Sequence, residues 1–190
     1  MSHPEVYILR HGQTEWNAIG RMQGWLDSPL TDQGKAQAAR QRDILREAGA
    51  GELPVYCSTS LRAVATAAIA LPGARPRFDP RLREITLGAW DGRTVEEILA
   101  TSGDAPAPRD DGFDFWWYDS TPGERFAGVQ ARIQGFASEL NGPAVVVTHG
   151  MTSRFLRGAL LGLEIEEIAD LPGGQGVVYH LKDGTANRLT

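Results

Sequence analysis

The sequence predicts an α/β fold, and three observations carry that expectation. Strand-like and helix-like patterns alternate along the chain. Two apolar runs, Val6-Tyr7-Ile8-Leu9 and Ala144-Val145-Val146-Val147, read as buried parallel strands. Each run leads into His-Gly, at His11-Gly12 and His149-Gly150. With four histidines and 22 glycines in 190 residues, chance predicts well under one such pair. In open α/β sheets, ligands bind beyond the carboxyl ends of the strands. The repeat therefore predicts two imidazoles at one mouth, with Arg10 directly beside the first.

The elements follow in order. Strands are expected over 6–9, 55–57, 144–148 and 176–181. Asp183-Gly184 is a two-residue hairpin signal, which makes 185–189 a final edge strand. A helix starts near Thr31, a capping residue type, and stops near Gly49. Another covers 61–71 and is stopped by Pro72-Gly73. Phe126, Val129, Ile133, Phe136 and Leu140 recur at a spacing of three or four, the mark of a helix with one buried face. A further helix follows His149 directly, so backbone N–H groups near Gly150 face the same mouth and offer an anion site. The stretch 101–123 is different. It carries Asp110, Asp111 and Asp114, three prolines, and the aromatic group Phe113, Phe115, Trp116, Trp117 and Tyr118. It reads as a lid-like excursion from a single domain spanning 1–190, its aromatics divided between core and lid.

Bulk properties narrow the class. Apolar content of 42% and charged content of 23% are ordinary for a soluble globular protein. A chain of this size buries roughly 70% of its unfolded surface and needs no covalent staples. The net charge of −5 argues against nucleic-acid or anionic-membrane partners. Cys57 has no second cysteine to pair with, which fits a reducing compartment. Met1-Ser2-His3-Pro4-Glu5 lacks the pattern of a signal peptide, and no apolar run approaches the roughly 18 residues of a membrane span. The expected location is cytoplasmic.

The most specific block is Leu9-Arg10-His11-Gly12-Gln13-Thr14-Glu15-Trp16-Asn17. It continues into Arg21-Met22-Gln23-Gly24-Trp25 and Asp27-Ser28-Pro29-Leu30-Thr31. Further on stand Ser58-Thr59-Ser60-Leu61-Arg62-Ala63-Val64-Ala65-Thr66, then Leu82-Arg83-Glu84 running to Trp90-Asp91-Gly92. Gly123-Glu124-Arg125-Phe126 and Thr148-His149-Gly150 complete the set. These five motifs, in this order over about residues 6 to 160, resemble the histidine phosphatase superfamily, whose fold is shared with cofactor-dependent phosphoglycerate mutase. The resemblance implies a three-layer α/β/α sandwich, phosphoglycerate mutase-like, around a mostly parallel central sheet of about six strands. It implies a phosphoric monoester hydrolase of the histidine acid phosphatase type that acts on a small phosphorylated substrate; no cofactor is expected, and although two histidines and carboxylates could bind a metal, no H-x-x-x-H or C-x-x-C pair supports one. His11 would be the nucleophile. Arg10, Arg62 and His149 would hold the phosphoryl oxygens, with Asn17, Gln23 and the N–H of Gly150 as neutral donors. Glu84 would protonate the leaving alkoxide and then activate water.

The chemistry suits those residue types. Phosphoryl transfer relies mostly on positioning and electrostatics. Imidazole is a nucleophile near neutral pH, and the arginine fork bonds two oxygens at once. Protonated Glu84 in the first step predicts a mildly acidic optimum. Taken alone, each residue has a plainer reading: Arg62 as a surface cation, Glu84 as a local partner of Arg81 or Arg83, and Trp25 and Trp90 as packing. His3 and His180 keep that plain reading. Two alternatives accompany the phosphatase. One is a phosphoglycerate mutase, disfavoured by Met151 after the second His-Gly and by the acidic residues after Gly92. The other is a non-catalytic module binding phosphate or phosphopeptide, which would have no need of Glu84. Exposed aromatic surface is compatible with a homodimer.

Overall fold

The apolar runs have no polar face, so each needs cover on both sides. A computed structural model describes residues 3–101 and 115–190. In chain order it contains β1 (Val6–Arg10), α1 (Glu15–Ala18), α2 (Asp32–Glu47), β2 (Val55–Cys57), α3 (Leu61–Ala70) and β3 (Arg77–Phe78). These are followed by α4 (Val95–Thr101), α5 (Phe126–Ser138), β4 (Ala144–Thr148), α6 (Gly150–Leu161), α7 (Ile165–Asp170), β5 (Val178–Lys182) and β6 (Thr185–Leu189). Short 3-10 turns occupy Pro80–Leu82, Gly88–Trp90 and Trp116–Ser120.

The six strands form one sheet in the order β3-β2-β4-β1-β5-β6. The first four are mutually parallel, and β5 runs antiparallel to both β1 and β6. Period-two geometry divides the apolar residues between faces. Tyr7, Leu9, Val145 and Val147 share one core with Leu45 of α2 and Ala63 and Ala67 of α3. Val6, Ile8, Ala144 and Val146 share the other with Val129, Ile133 and Phe136 of α5 and Phe155 of α6. The result is the expected three-layer sandwich.

Local chemistry explains most boundaries. Thr31 caps α2 by accepting from the Gly34 N–H at 3.0 Å. Asp183 and Gly184 adopt φ of 49° and 75°, so both turn residues are left-handed and the hairpin closes on two residues. The sixth strand, β3, was not among the five expected from local pattern, because its two exposed residues leave no periodicity to read. β5 begins two residues later than expected, after Gly176 turns the chain at φ 72°. Three short helices, α1, α4 and α7, also lay outside the expected set.

The loop after β1 lies flat on the first turn of α2. A Cβ on Gly12 would stand 2.2 Å from the Gly34 carbonyl oxygen, and one on Gly34 would stand 2.0 Å from that of Gln13. This close approach pins the chain immediately beyond His11. Part of the 101–123 excursion, with Asp110, Asp111, Phe113 and Asp114, lies outside the described residues. In the remainder, Phe115 packs on Phe126 and Phe155, and Trp117 stacks on Trp90. Among the described residues no helix is long and apolar enough to cross a membrane.

Candidate active site

Strands β2, β4 and β1 are neighbours; β4 and β1 end level, and β2 ends one residue short of them. Their next residues are Ser58, His149 and His11. The Ser58 N–H donates to Val147 O at 2.9 Å and the His11 N–H to Thr148 O at 3.0 Å, which extends the ladder one step past each strand. The two imidazoles consequently meet edge to face, with centroids 5.1 Å apart.

His11 is almost wholly buried. Its Nδ1 lies 2.8 Å from the Gly12 carbonyl oxygen. A carbonyl accepts only, so Nδ1 carries the proton and Nε2 keeps a lone pair. The next N–H, that of Gly12, donates to Thr66 Oγ1 at 3.0 Å, and Thr66 in turn donates to Arg62 O. The Arg62 motif therefore buttresses the His11 turn.

Arg62 is buried, not a surface cation. It donates to Leu26 O, Gly24 O and Asp27 Oδ1 at 2.6, 2.9 and 2.7 Å. Asp27 also accepts from the N–H groups of Leu61 and Arg62 at the start of α3. A buried guanidinium without a carboxylate would be costly, and Asp27 supplies one. Arg62 Nε, Arg10 Nε and His149 Nδ1 remain buried with no partner among the described residues. Three N–H or N positions are thus uncommitted around His11.

Glu84 is clasped by the start of α6. Its Oε2 accepts from the Met151 N–H at 3.1 Å, and its Oε1 accepts from the Thr152 N–H, the Thr152 hydroxyl and the Ile85 N–H, each at 3.1 Å. A Cβ on Gly150 would stand 3.3 Å from Arg10 Cζ and 3.5 Å from Glu84 Oε2, so Gly150 sits between the two groups. The plainer reading of Glu84 as an ion-pair partner does not hold: Arg81 pairs with Asp79 and Glu139, and Arg83 stacks over Trp25 at 4.4 Å. Trp25 is more than packing, since its half-exposed indole donates to Glu84 O at 2.9 Å. Trp90 does pack, against Trp117.

Arg10, His11, Asn17, Gln23, Arg62 and Glu84 line a single cleft of about 180 Å3, joined by Tyr118 on the far wall. His149 is fully buried behind that lining, beside His11. Two hollows above 500 Å3, one along 51–55 and 72–77 and one beside Leu61 and Ile69 that shares Arg62 with the cleft, are lined by no histidine. Asn17 and Gln23 are partly committed. Asn17 Oδ1 accepts from the Thr14 N–H, and Gln23 Nε2 donates to Thr14 Oγ1 while its Oε1 accepts from Ser28. Among the described residues no group of three His, Cys, Asp or Glu side chains is arranged to hold a metal. Sequence reasoning gave no role to Asp27, Ser58 or Tyr118. No local spacing ties any of the three to the site, since Asp27 meets Arg62 from 35 positions away and Ser58 meets His149 from 91.

Electrostatics set the charge of the histidines. Burial, then Arg62 and Arg10, holds His11 well below the usual imidazole range, with the Gly12 carbonyl pulling the other way. Burial, then Arg62, His11 and Arg10, does the same to His149. Burial and the Glu84 charge push the Tyr118 phenol up to about 12. Below about pH 6.5 the unfolded chain therefore binds more protons than the folded one. The stability carried by neutral His11 and His149 is complete above that value and is lost as pH falls. The thermal midpoint should drop between about pH 7 and about pH 5, and His149→Gln should flatten the drop. An equal slope in the variant would remove His149 from this account.

Fold and cleft together define an α/β protein with imidazole, guanidinium and carboxylate groups gathered at one mouth. The histidine phosphatase superfamily (branch 1) matches residues 6–186, and the chain belongs to this family of phosphatases and mutases. It is 31% identical to a 2,3-bisphosphoglycerate-dependent phosphoglycerate mutase from a Nocardioides species, over 96% of this chain and 88% of that one. It is 35% identical to a glucosyl-3-phosphoglycerate phosphatase from Mycolicibacterium vanbaalenii, over 90% and 80%. Among solved structures it resembles Bacillus stearothermophilus YhfR, with 34% identity, a TM-score of 0.77 and coverage of 97% and 94%.

Proposed function

We propose that the protein is a phosphomonoesterase of the histidine acid phosphatase type, hydrolysing small phosphorylated metabolites through a phosphohistidine on His11. The observation that carries this reading is one neutral imidazole, its Nδ1 engaged by the Gly12 carbonyl, set among uncommitted donors with Glu84 on the same cleft. His11 Nε2 attacks phosphorus as the bond to the ester oxygen breaks. Glu84 gives that oxygen its proton. The positive charge left on the imidazole is met by the Gly12 carbonyl dipole. Arg10, Arg62, His149 and the Gly150 N–H face the transferred group, where donors stabilise developing charge. Glu84 then takes a proton from water, the hydroxide attacks phosphorus, and the P–N bond breaks to restore neutral His11.

A mutase is the second reading, supported by the mutase relatives. One observation weighs against it. A bisphosphate needs a further cationic grip, yet the extra cation lining the cleft, Arg21, is committed to both oxygens of Glu97 and to Gly92 O. A phosphate-release screen over monophosphorylated metabolites should give turnover without any added bisphosphate. Bisphosphoglycerate-stimulated interconversion of the two phosphoglycerates, with negligible phosphate release, would establish the mutase instead.

A further inference from the structure

Ser58 has no part in the reaction above, yet it stands in the row of three side chains at the strand ends. It is fully buried, and its Oγ lies 2.7 Å from His149 Nε2. The direction of that hydrogen bond decides what His149 can offer. The Ser60 N–H already donates to Ser58 Oγ at 3.3 Å. The Ser58 hydroxyl proton has no acceptor except His149 Nε2 among the described residues. Accepting from Ser60 and donating to His149 satisfies both the Ser58 hydroxyl and His149 Nε2; the reverse would strand the hydroxyl proton in the core. When Nε2 accepts, the ring proton resides on Nδ1, and Nδ1 is the buried ring atom without a partner.

We propose that Ser58 is a positioning residue whose hydroxyl locks His149 in the Nδ1–H tautomer, so that this N–H donates to the phosphoryl group carried by His11. The proposal rests on the reading that His11 is phosphorylated. Phosphoryl oxygens are acceptors only, and a neutral imidazole offers one donor and one acceptor. In the opposite tautomer a ring lone pair would confront an anionic oxygen. In the free protein burial, then Arg62, His11 and Arg10, hold the His149 imidazole neutral, so the ring meets the substrate with a single donor. The choice of tautomer therefore decides whether His149 stabilises the intermediate or opposes it. His11 is locked the same way by a different acceptor, the Gly12 carbonyl. Neighbouring imidazoles thus carry the proton on the same atom for opposite ends: one exposes a lone pair to attack, the other an N–H to hold.

The test is nitrogen-15 NMR of the full-length labelled protein, free and with inorganic phosphate. Wild-type His149 should show a protonated Nδ1 whose proton signal moves when phosphate is added, and Ser58→Ala should mix the tautomers. With an aryl phosphate, Ser58→Ala should lower kcat by about 10- to 100-fold with a much smaller change in KM, less than the loss of a whole donor. Ser58→Thr, which keeps the hydroxyl, should recover most of that loss. A wild-type His149 protonated on Nε2 would overturn the proposal. So would a Ser58→Ala protein with the wild-type tautomer and kcat. If Ser58→Ala does not fold, the wild-type spectrum still decides. If the wild type releases no phosphate from any ester, the phosphatase reading fails, while the spectrum separately tests the lock.

Discussion

His11→Ala is expected to lower kcat for an aryl phosphate by at least about 10,000-fold, the scale seen when a covalent nucleophile is removed. The substitution takes away the attacking nitrogen and leaves the phosphate cradle in place. Arg62 is held by Leu26 O, Gly24 O and Asp27, whereas the His11 ring is held by the Gly12 carbonyl. Ester binding should therefore persist while turnover disappears. Rapid mixing of wild-type protein with the ester should trap about one acid-labile phosphate per site, and the variant should trap none. Retention of a tenth of the activity would remove His11 from the nucleophile's role.

Glu84→Gln should separate the two halves of the reaction. A phenolate leaves without a proton, whereas an alkoxide needs one. Phosphorylation by an alkyl phosphate should fall about 100- to 10,000-fold, the range attributed to a positioned general acid. An aryl phosphate should still phosphorylate His11 quickly. It should then stall, because no base activates water, and the trace should be a burst followed by a slow phase. The amide is not a silent replacement. One of its two ends donates, and both Glu84 oxygens now accept from N–H groups of Met151, Thr152 or Ile85. A small rotation of the side chain is expected, so the diagnostic is the ratio of alkyl to aryl rates and not either rate alone. Equal losses for both esters in the first turnover would mean that Glu84 is not the acid.

The sequence exposed those parts of the fold whose cause is local. Unbroken apolar runs marked β1 and β4, Thr31 marked the start of α2, and Asp183-Gly184 marked the final hairpin. β3 escaped because two residues carry no period. The site divides in the same way. His11 and His149 were readable from a repeated dipeptide after two strands, and Arg62 and Glu84 from longer motifs. Their supports were not. Asp27 meets Arg62 across 35 positions, the Trp25 indole meets Glu84 O across 59, and Ser58 meets His149 across 91. Such pairings depend on which strands become neighbours, and no local spacing encodes that order. Tyr118 was hidden for a related reason: one aromatic run sends Phe115 to the core, Trp117 to a stack on Trp90, and Tyr118 to the cleft wall.

The paired register of β1 and β4 acts as a ruler for catalysis. Arg10 lies opposite Thr148, so His11 and His149 follow at equal height, and their rings are set about one strand spacing apart, roughly 4.8 Å. That separation is written into backbone hydrogen bonds between two central strands and does not depend on any loop closing. Every molecule that folds therefore possesses it, and one with slipped pairing would turn a whole strand's side chains to the opposite face. Catalytic spacing here is a by-product of sheet assembly. Residues far from any substrate, such as Ile8 and Val146 at their paired positions in the centre of the sheet, guard the chemistry as surely as those that touch it.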